Sequence, residues 1–177
     1  MTQTATKGAG CVWLLALAMN FFCAAGSASA AADTSRYGAW GLACEKQKPK
    51  VCVLSQIVAR DPQGKQVVVG ANAYLDAETG KPKIEFRLSP LAVPSAGLGL
   101  KIDKGAEYRL AMSSCDPKLC VARGLLEGEL RTRLESGTVA QLAFLLQDGS
   151  QVVVPLALKG LKSGMTALAA RRPARAD

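Results

Sequence analysis

The sequence predicts an all-β, single-domain fold: a β-sandwich or open barrel with one or two short helices, stapled by two disulfides. Three observations carry this expectation. Short runs of β-branched and apolar residues, separated by turn signals, extend from Tyr37 to Leu158. Asp148-Gly149 interrupts two such runs in the manner of a tight hairpin. Four cysteines, Cys44, Cys52, Cys115 and Cys120, lie beyond residue 30 at short mutual spacings.

The first thirty residues stand apart from this pattern. One charge, Lys7, precedes an apolar run from Cys11 to Ala25 broken only by Asn20, and small residues follow to Ala32. That order is the one a secretory signal peptide has, and the run is shorter than the roughly 20 apolar residues of a spanning helix. Residues 1–30 are therefore read as a signal peptide cleaved after Ala30, with Ala32 as second choice. Cys23, preceded by Asn20-Phe21-Phe22, lacks the small residues a lipid-accepting cysteine requires. No transmembrane segment is expected after cleavage, and the compartment expected is periplasmic or extracellular. Residues 31–170 form one domain in this reading, with a disordered basic tail at 171–177.

Within the domain, Val51 to Ala59 is strand-like, and Asp61-Pro62-Gln63-Gly64 turns it back into Gln66 to Ala73. Lys83 to Leu88 alternates, which puts Ile84, Phe86 and Leu88 on a buried face and Lys83, Glu85 and Arg87 on a solvated one. Ser89 to Gly99, with two prolines and two glycines, reads as an irregular crossing. Leu100 to Asp103 and Glu107 to Met112 read as a strand pair. Thr138 to Gln147 and Ser150 to Leu156 flank Asp148-Gly149, a two-residue type I′ connection. Leu126, Leu130 and Leu134 mark one helical stripe ended by Ser136-Gly137, and Leu161, Met165 and Leu168 mark another. Trp40, four residues before Cys44, is expected in the core against a disulfide.

Four cysteines in an oxidising compartment form a disulfide framework with three pairings to choose from. Cys44 with Cys52 and Cys115 with Cys120 are favoured, because each loop is short and carries its own turn residue, Pro49 or Pro117. Each closure stabilises by about 2–3 kcal/mol on the loop-entropy estimate. Cys-x2-Cys spacing, which a zinc knuckle or a thioredoxin-type dithiol requires, is absent. No metal or other cofactor is expected.

Charge and composition narrow the function classes. Residues 31–177 hold 21 Lys and Arg against 14 Asp and Glu, a net charge of +7 that favours anionic surroundings. No clustered arginine helix or aromatic-basic platform points to nucleic acid. The sequence has no histidine, so enzymes built on that base are excluded. Carboxylates such as Glu85, Asp103, Glu107 and Asp116 sit in strand faces or turns without a singled-out pair. Ser55 and Ser114 lack a base and a nucleophile-elbow sequence. Lys46, Lys48 and Lys50 carry three positive charges at the tip of the Cys44 to Cys52 hairpin, where rigid display lowers the ordering cost of binding.

Four separated motifs complete the reading: Trp40-Gly41-Leu42-Ala43-Cys44, Cys52-Val53-Leu54-Ser55-Gln56, Cys115-Asp116-Pro117-Lys118-Leu119-Cys120-Val121-Ala122, and Pro155-Leu156-Ala157-Leu158-Lys159-Gly160. Together these resemble the invasion-associated locus B family, over about Tyr37 to Leu168. Where that family commonly has Ser-Leu-Lys-Gly-Phe, this chain has Ala157-Leu158-Lys159-Gly160-Leu161. The resemblance implies a β-rich exported envelope protein of Gram-negative bacteria without enzymatic activity, named after a member associated with host-cell entry. The partner expected is an envelope or host protein, or an anionic polymer. Two further readings follow from other premises: a secreted effector delivered to a host cell, and a carboxylate-based envelope hydrolase. The exported protein is predicted to begin at Ala31, or at Asp33 if the second site is used, and N-terminal sequencing checks this. A form retaining Met1 would make the apolar run an anchor.

Overall fold

Alternating burial along the strands builds two stacked sheets in the structure, a computed structural model in which residues 33–45, 51–60 and 66–171 are described. The larger sheet starts as an antiparallel meander of β1 (Asp33–Tyr37), β2 (Trp40–Cys44), β3 (Cys52–Ala59), β4 (Val67–Leu75) and β5 (Pro82–Leu88). The chain then passes a 3₁₀ turn (Pro94–Ala96) into the second sheet as β6 (Leu98–Ile102) and β7 (Glu107–Leu110). It returns to the first sheet as β8 (Met112–Cys115) and β9 (Cys120–Leu125). Helix α1 (Gly128–Ser136) leads to β10 (Val139–Leu145) and β11 (Gln151–Ala157), and α2 (Leu161–Ala170) follows. The strand orders are β1-β2-β3-β4-β5-β9-β8 and β11-β10-β6-β7. Neither sheet closes on itself, so the expected all-β fold is the sandwich and not the barrel.

The core lies between the sheets. Leu54, Val69, Ala71, Ile84 and Phe86 point inward from the larger sheet and meet Leu98, Leu100, Leu142, Val154 and Leu156, all buried. Four strands cannot cover seven, and the uncovered part of the larger sheet, β1 to β4, is where α2 packs. Leu161, Met165 and Leu168, the stripe read from the sequence, are buried there. Leu134 plays the same part for α1.

Three elements differ from expectation. Strand β9 was not anticipated, yet it pairs with β5 over its whole length, from Lys83↔Leu125 to Leu88↔Cys120. Glu107 to Met112 is not one strand. Leu110 ends β7 in the smaller sheet, while Met112 pairs with Ala122 in the larger sheet beside an irregularity between Met112 and Ser114. The chain thus changes sheets at Ala111, the kind of corner that a bulge permits. The Asp148-Gly149 hairpin is a longer one. Gly149 N–H donates to the Leu146 carbonyl at 2.9 Å and Leu146 N–H to the Ser150 carbonyl at 2.8 Å, which leaves three residues in the loop. Asp103 is the only non-glycine with positive φ among the described residues, so Asp148 cannot take the type I′ conformation. A type I turn completed by Gly149, at φ 81°, makes the reversal instead.

A polar latch joins the sheets where β11 ends. The Ala157 carbonyl accepts from Trp40 Nε1 at 3.0 Å and from Gln56 Nε2 at 2.9 Å, while Ala157 N–H donates to Gln56 Oε1 at 3.1 Å. Trp40 is fully buried, and its N–H is thereby satisfied. Beside it the β1–β2 turn meets the segment before α2: Ala39 N–H donates to the Lys159 carbonyl at 3.2 Å. The backbones touch so closely that a Cβ on Gly38 would lie 2.3 Å from the Lys159 oxygen, and one on Gly160 would lie 2.0 Å from the Tyr37 oxygen.

Gly160 combines that contact with φ 98°, whereas Gly149 has positive φ but open space around it. Gly160→Ala is predicted to cost about 3 kcal/mol or more, and Gly149→Ala about 1 kcal/mol, which is the backbone term alone. Urea unfolding of both variants measures the difference.

Candidate functional site

The two disulfides are Cys44–Cys52 and Cys115–Cys120. Each links directly opposed residues of adjacent strands, β2 with β3 and β8 with β9. The first closes a hairpin in which Glu45 N–H donates to the Val51 carbonyl at 2.8 Å. Its tip, with Lys46, Lys48 and Lys50, lies outside the described residues, as do residues 1–32 and 172–177. The second holds a turn in which the Asp116 carboxylate accepts from the N–H groups of Lys118 and Leu119, at 2.7 and 3.0 Å. Those hydrogen bonds hold Asp116 below the usual carboxylate range.

The remaining residues weighed as catalysts are dispersed. Asp103, just past β6, accepts from the N–H groups of Thr138 and Val139 and so secures the start of β10. Glu107 is exposed on β7, and Ser114 is exposed on β8. Ser55 on β3 donates its hydroxyl to the Gly41 carbonyl at 3.4 Å. Among the described residues no group of three or more Cys, Asp or Glu could hold a metal ion.

Glu85 departs from expectation. Its face of β5 was read as solvated, but the side chain is buried at 5 % exposure on the outer face of the larger sheet. Arg123, its direct neighbour on β9, donates Nε to Oε2 at 2.8 Å, and Arg87 on β5 donates Nε to Oε1 at 2.9 Å. The two guanidinium groups lie over the carboxylate and exclude water from it. Burial alone would raise its pKa, but the hydrogen bonds from Arg123 and Arg87 outweigh burial and hold it lowered. A carboxylate fixed in this way is a poor proton acceptor. Nearby, Asp76 accepts from Thr79 N–H and hydroxyl and pairs with Lys83, and the Lys83 bond holds it far below the usual range.

Beyond Arg87 the larger sheet borders a groove of about 780 Å³, lined by residues of β3, β4 and β5, the β8–β9 turn and the β10–β11 hairpin. Arg60, Arg87 and Lys118 line it, with no acidic residue among its described lining. Ile57 and Val67, at 68 % and 57 % exposure, supply apolar surface, and Ser55 and Asn72 add neutral polar groups. The residues of this groove are far apart in sequence, and no motif along the chain gathers them.

The family model described as "Invasion associated locus B (IalB) protein" matches residues 40–169. No curated protein matches the chain. Among solved structures, the fold is similar to that of invasion associated protein B from Bartonella henselae, with a TM-score of 0.65 and 23 % identity, over 77 % of this chain and 96 % of that one. Among the described residues no helix is long and apolar enough to cross a membrane.

Glu85→Gln removes the charge that keeps two guanidinium groups together, and it is predicted to cost about 1–2 kcal/mol, moderated because both arginines are half exposed. The acid limb has a fixed sign. Carboxylates with lowered pKa contribute stability that is complete above their unfolded values and lost as pH falls through the folded ones. Melting temperature should therefore be flat above about pH 5 and fall below about pH 4, less steeply in Glu85→Gln than in the wild type. Thermal melts across that range check both statements.

Proposed function

The chain belongs to the invasion associated locus B family, and from that premise we propose that it acts after export, by binding and not by catalysis. The observation that carries the reading is the open groove, whose described lining holds Arg60, Arg87 and Lys118 beside exposed apolar side chains and includes no acidic residue, with Glu85 bonded to Arg87 behind it. Of the candidate catalytic carboxylates, Glu85, Asp103 and Asp116 are spent on holding strands and turns, and Glu107 stands exposed on β7 apart from them in the fold. Export fits the cysteine usage and the residue order of positions 1–30.

In this reading Lys46, Lys48 and Lys50, in the segment closed by Cys44–Cys52, contact an anionic envelope or host polymer. Only Glu45 offsets them nearby, so the local charge favours polyanions at moderate salt. The family and the Bartonella henselae protein are named for invasion, and the reading extends to this chain as contact with a host surface.

Two measurements test it. Fractionation should find the protein in periplasm, outer membrane or medium, and a cytoplasmic pool alone overturns export. The triple variant Lys46→Gln, Lys48→Gln, Lys50→Gln should bind lipopolysaccharide more weakly than the wild type at low salt, with the difference shrinking as salt rises. Equal binding by the two proteins removes the loop from the contact.

A further inference from the structure

We infer that the groove bordered by β3, β4 and β5 is a binding site for a single-chain anionic amphiphile, an acyl chain ending in a carboxylate or phosphate. This rests on the binding reading above and deepens it by naming the ligand class of that groove.

Charge points to the headgroup. Arg60, Arg87 and Lys118 line the groove, and no acid stands among the described lining residues. Lys118 is presented by a turn fixed twice, by the Cys115–Cys120 disulfide and by the Asp116 hydrogen bonds. Arg87 is steadied by Glu85 through Nε, which leaves its two Nη groups as further donors. Guanidinium forks match carboxylate and phosphate oxygens in a paired geometry that a lone ammonium does not.

Apolar surface points to the tail. Ile57 and Val67 are large, exposed hydrophobic residues on adjacent strands of the same groove, and the half-buried Leu146 continues that surface on the β10–β11 side, while Phe144 and Val152 in the lining are buried. A free phosphate would leave this surface wet. A sugar polymer or a nucleic acid would stack on exposed aromatic rings, but Phe144, the one aromatic ring in the described lining, is 3 % exposed. A volume of about 780 Å³ lies within the range that small-molecule sites occupy.

The probe is 11-(dansylamino)undecanoic acid, titrated into the exported, disulfide-intact protein and followed by its fluorescence. Saturable binding is expected, with displacement by oleate or lysophosphatidic acid and not by neutral monoolein or short-chain butyrate. The double variant Arg60→Gln, Lys118→Gln should bind about tenfold more weakly, as for two lost charge-assisted contacts at a partly wet site. Ile57→Asp should abolish binding while leaving the melting temperature within a few degrees. The triple lysine variant of the 46–50 segment should bind the probe as the wild type does, which separates this site from polymer binding. Absence of saturable binding overturns the inference, as does displacement by monoolein equal to that by oleate, or a double variant that binds unchanged. None of those failures alters the outcome of fractionation or of the lipopolysaccharide measurement.

Discussion

The fold depends on the double acceptance at the Ala157 carbonyl. Apolar packing between two sheets is strong but non-directional, and it would tolerate sliding one sheet over the other. Trp40 and Gln56 fix the slide, because a buried indole N–H and a primary amide are costly to leave unpaired and both are satisfied by this carbonyl. The return bond from Ala157 N–H to Gln56 makes the contact two-pronged, so it also fixes the angle at which β11 ends. Lys159 and Gly160 then lie against the β1–β2 turn, and α2 starts where it can cover the strands that the smaller sheet leaves bare.

This places three of the four motifs at one spot. Trp40 and Gln56 are 117 and 101 residues from the Ala157 they bond, yet with the segment to Gly160 they form a single joint. The three motifs therefore read as architecture, and Ala157 serves the joint with its main chain and not its side chain. The fourth motif builds the Cys115–Cys120 hairpin on the far edge of the larger sheet.

What the sequence made legible was local. Runs of β-branched and apolar residues between turn signals located β3, β4, β10 and β11, alternation located β5, and the leucine spacing located α2 and most of α1, although Leu126 lies before that helix. Both disulfides close short loops, so their partners were close by in the chain. What stayed hidden depended on distant neighbours. Strand β9 follows a disulfide turn and runs directly toward a helix, so its six residues gave too little pattern against the leucine stripe. Glu85 alternated correctly with its neighbours, and its face was assigned correctly to the outside. Its burial comes from Arg123, 38 residues later, which no window along the chain could bring near. The groove is assembled from five elements and had no motif to announce it.

The joint also orders events in time. Ribosomes and translocation channels deliver a chain from its N-terminus, so β1 and β2 emerge first. Their partners beyond the meander, Ala157, Lys159 and Gly160, come more than a hundred residues later. Arg171 at the end of α2 also donates to the Ser35 hydroxyl of β1 at 2.9 Å. The joint at the β1–β2 turn cannot close until nearly the last residues have emerged, and closing so long a loop carries an entropic cost that the near-neighbour strand pairings do not. A chain arranged this way can pair the neighbouring strands of its meander early, but it fastens them to the rest of the fold only once α2 has been made.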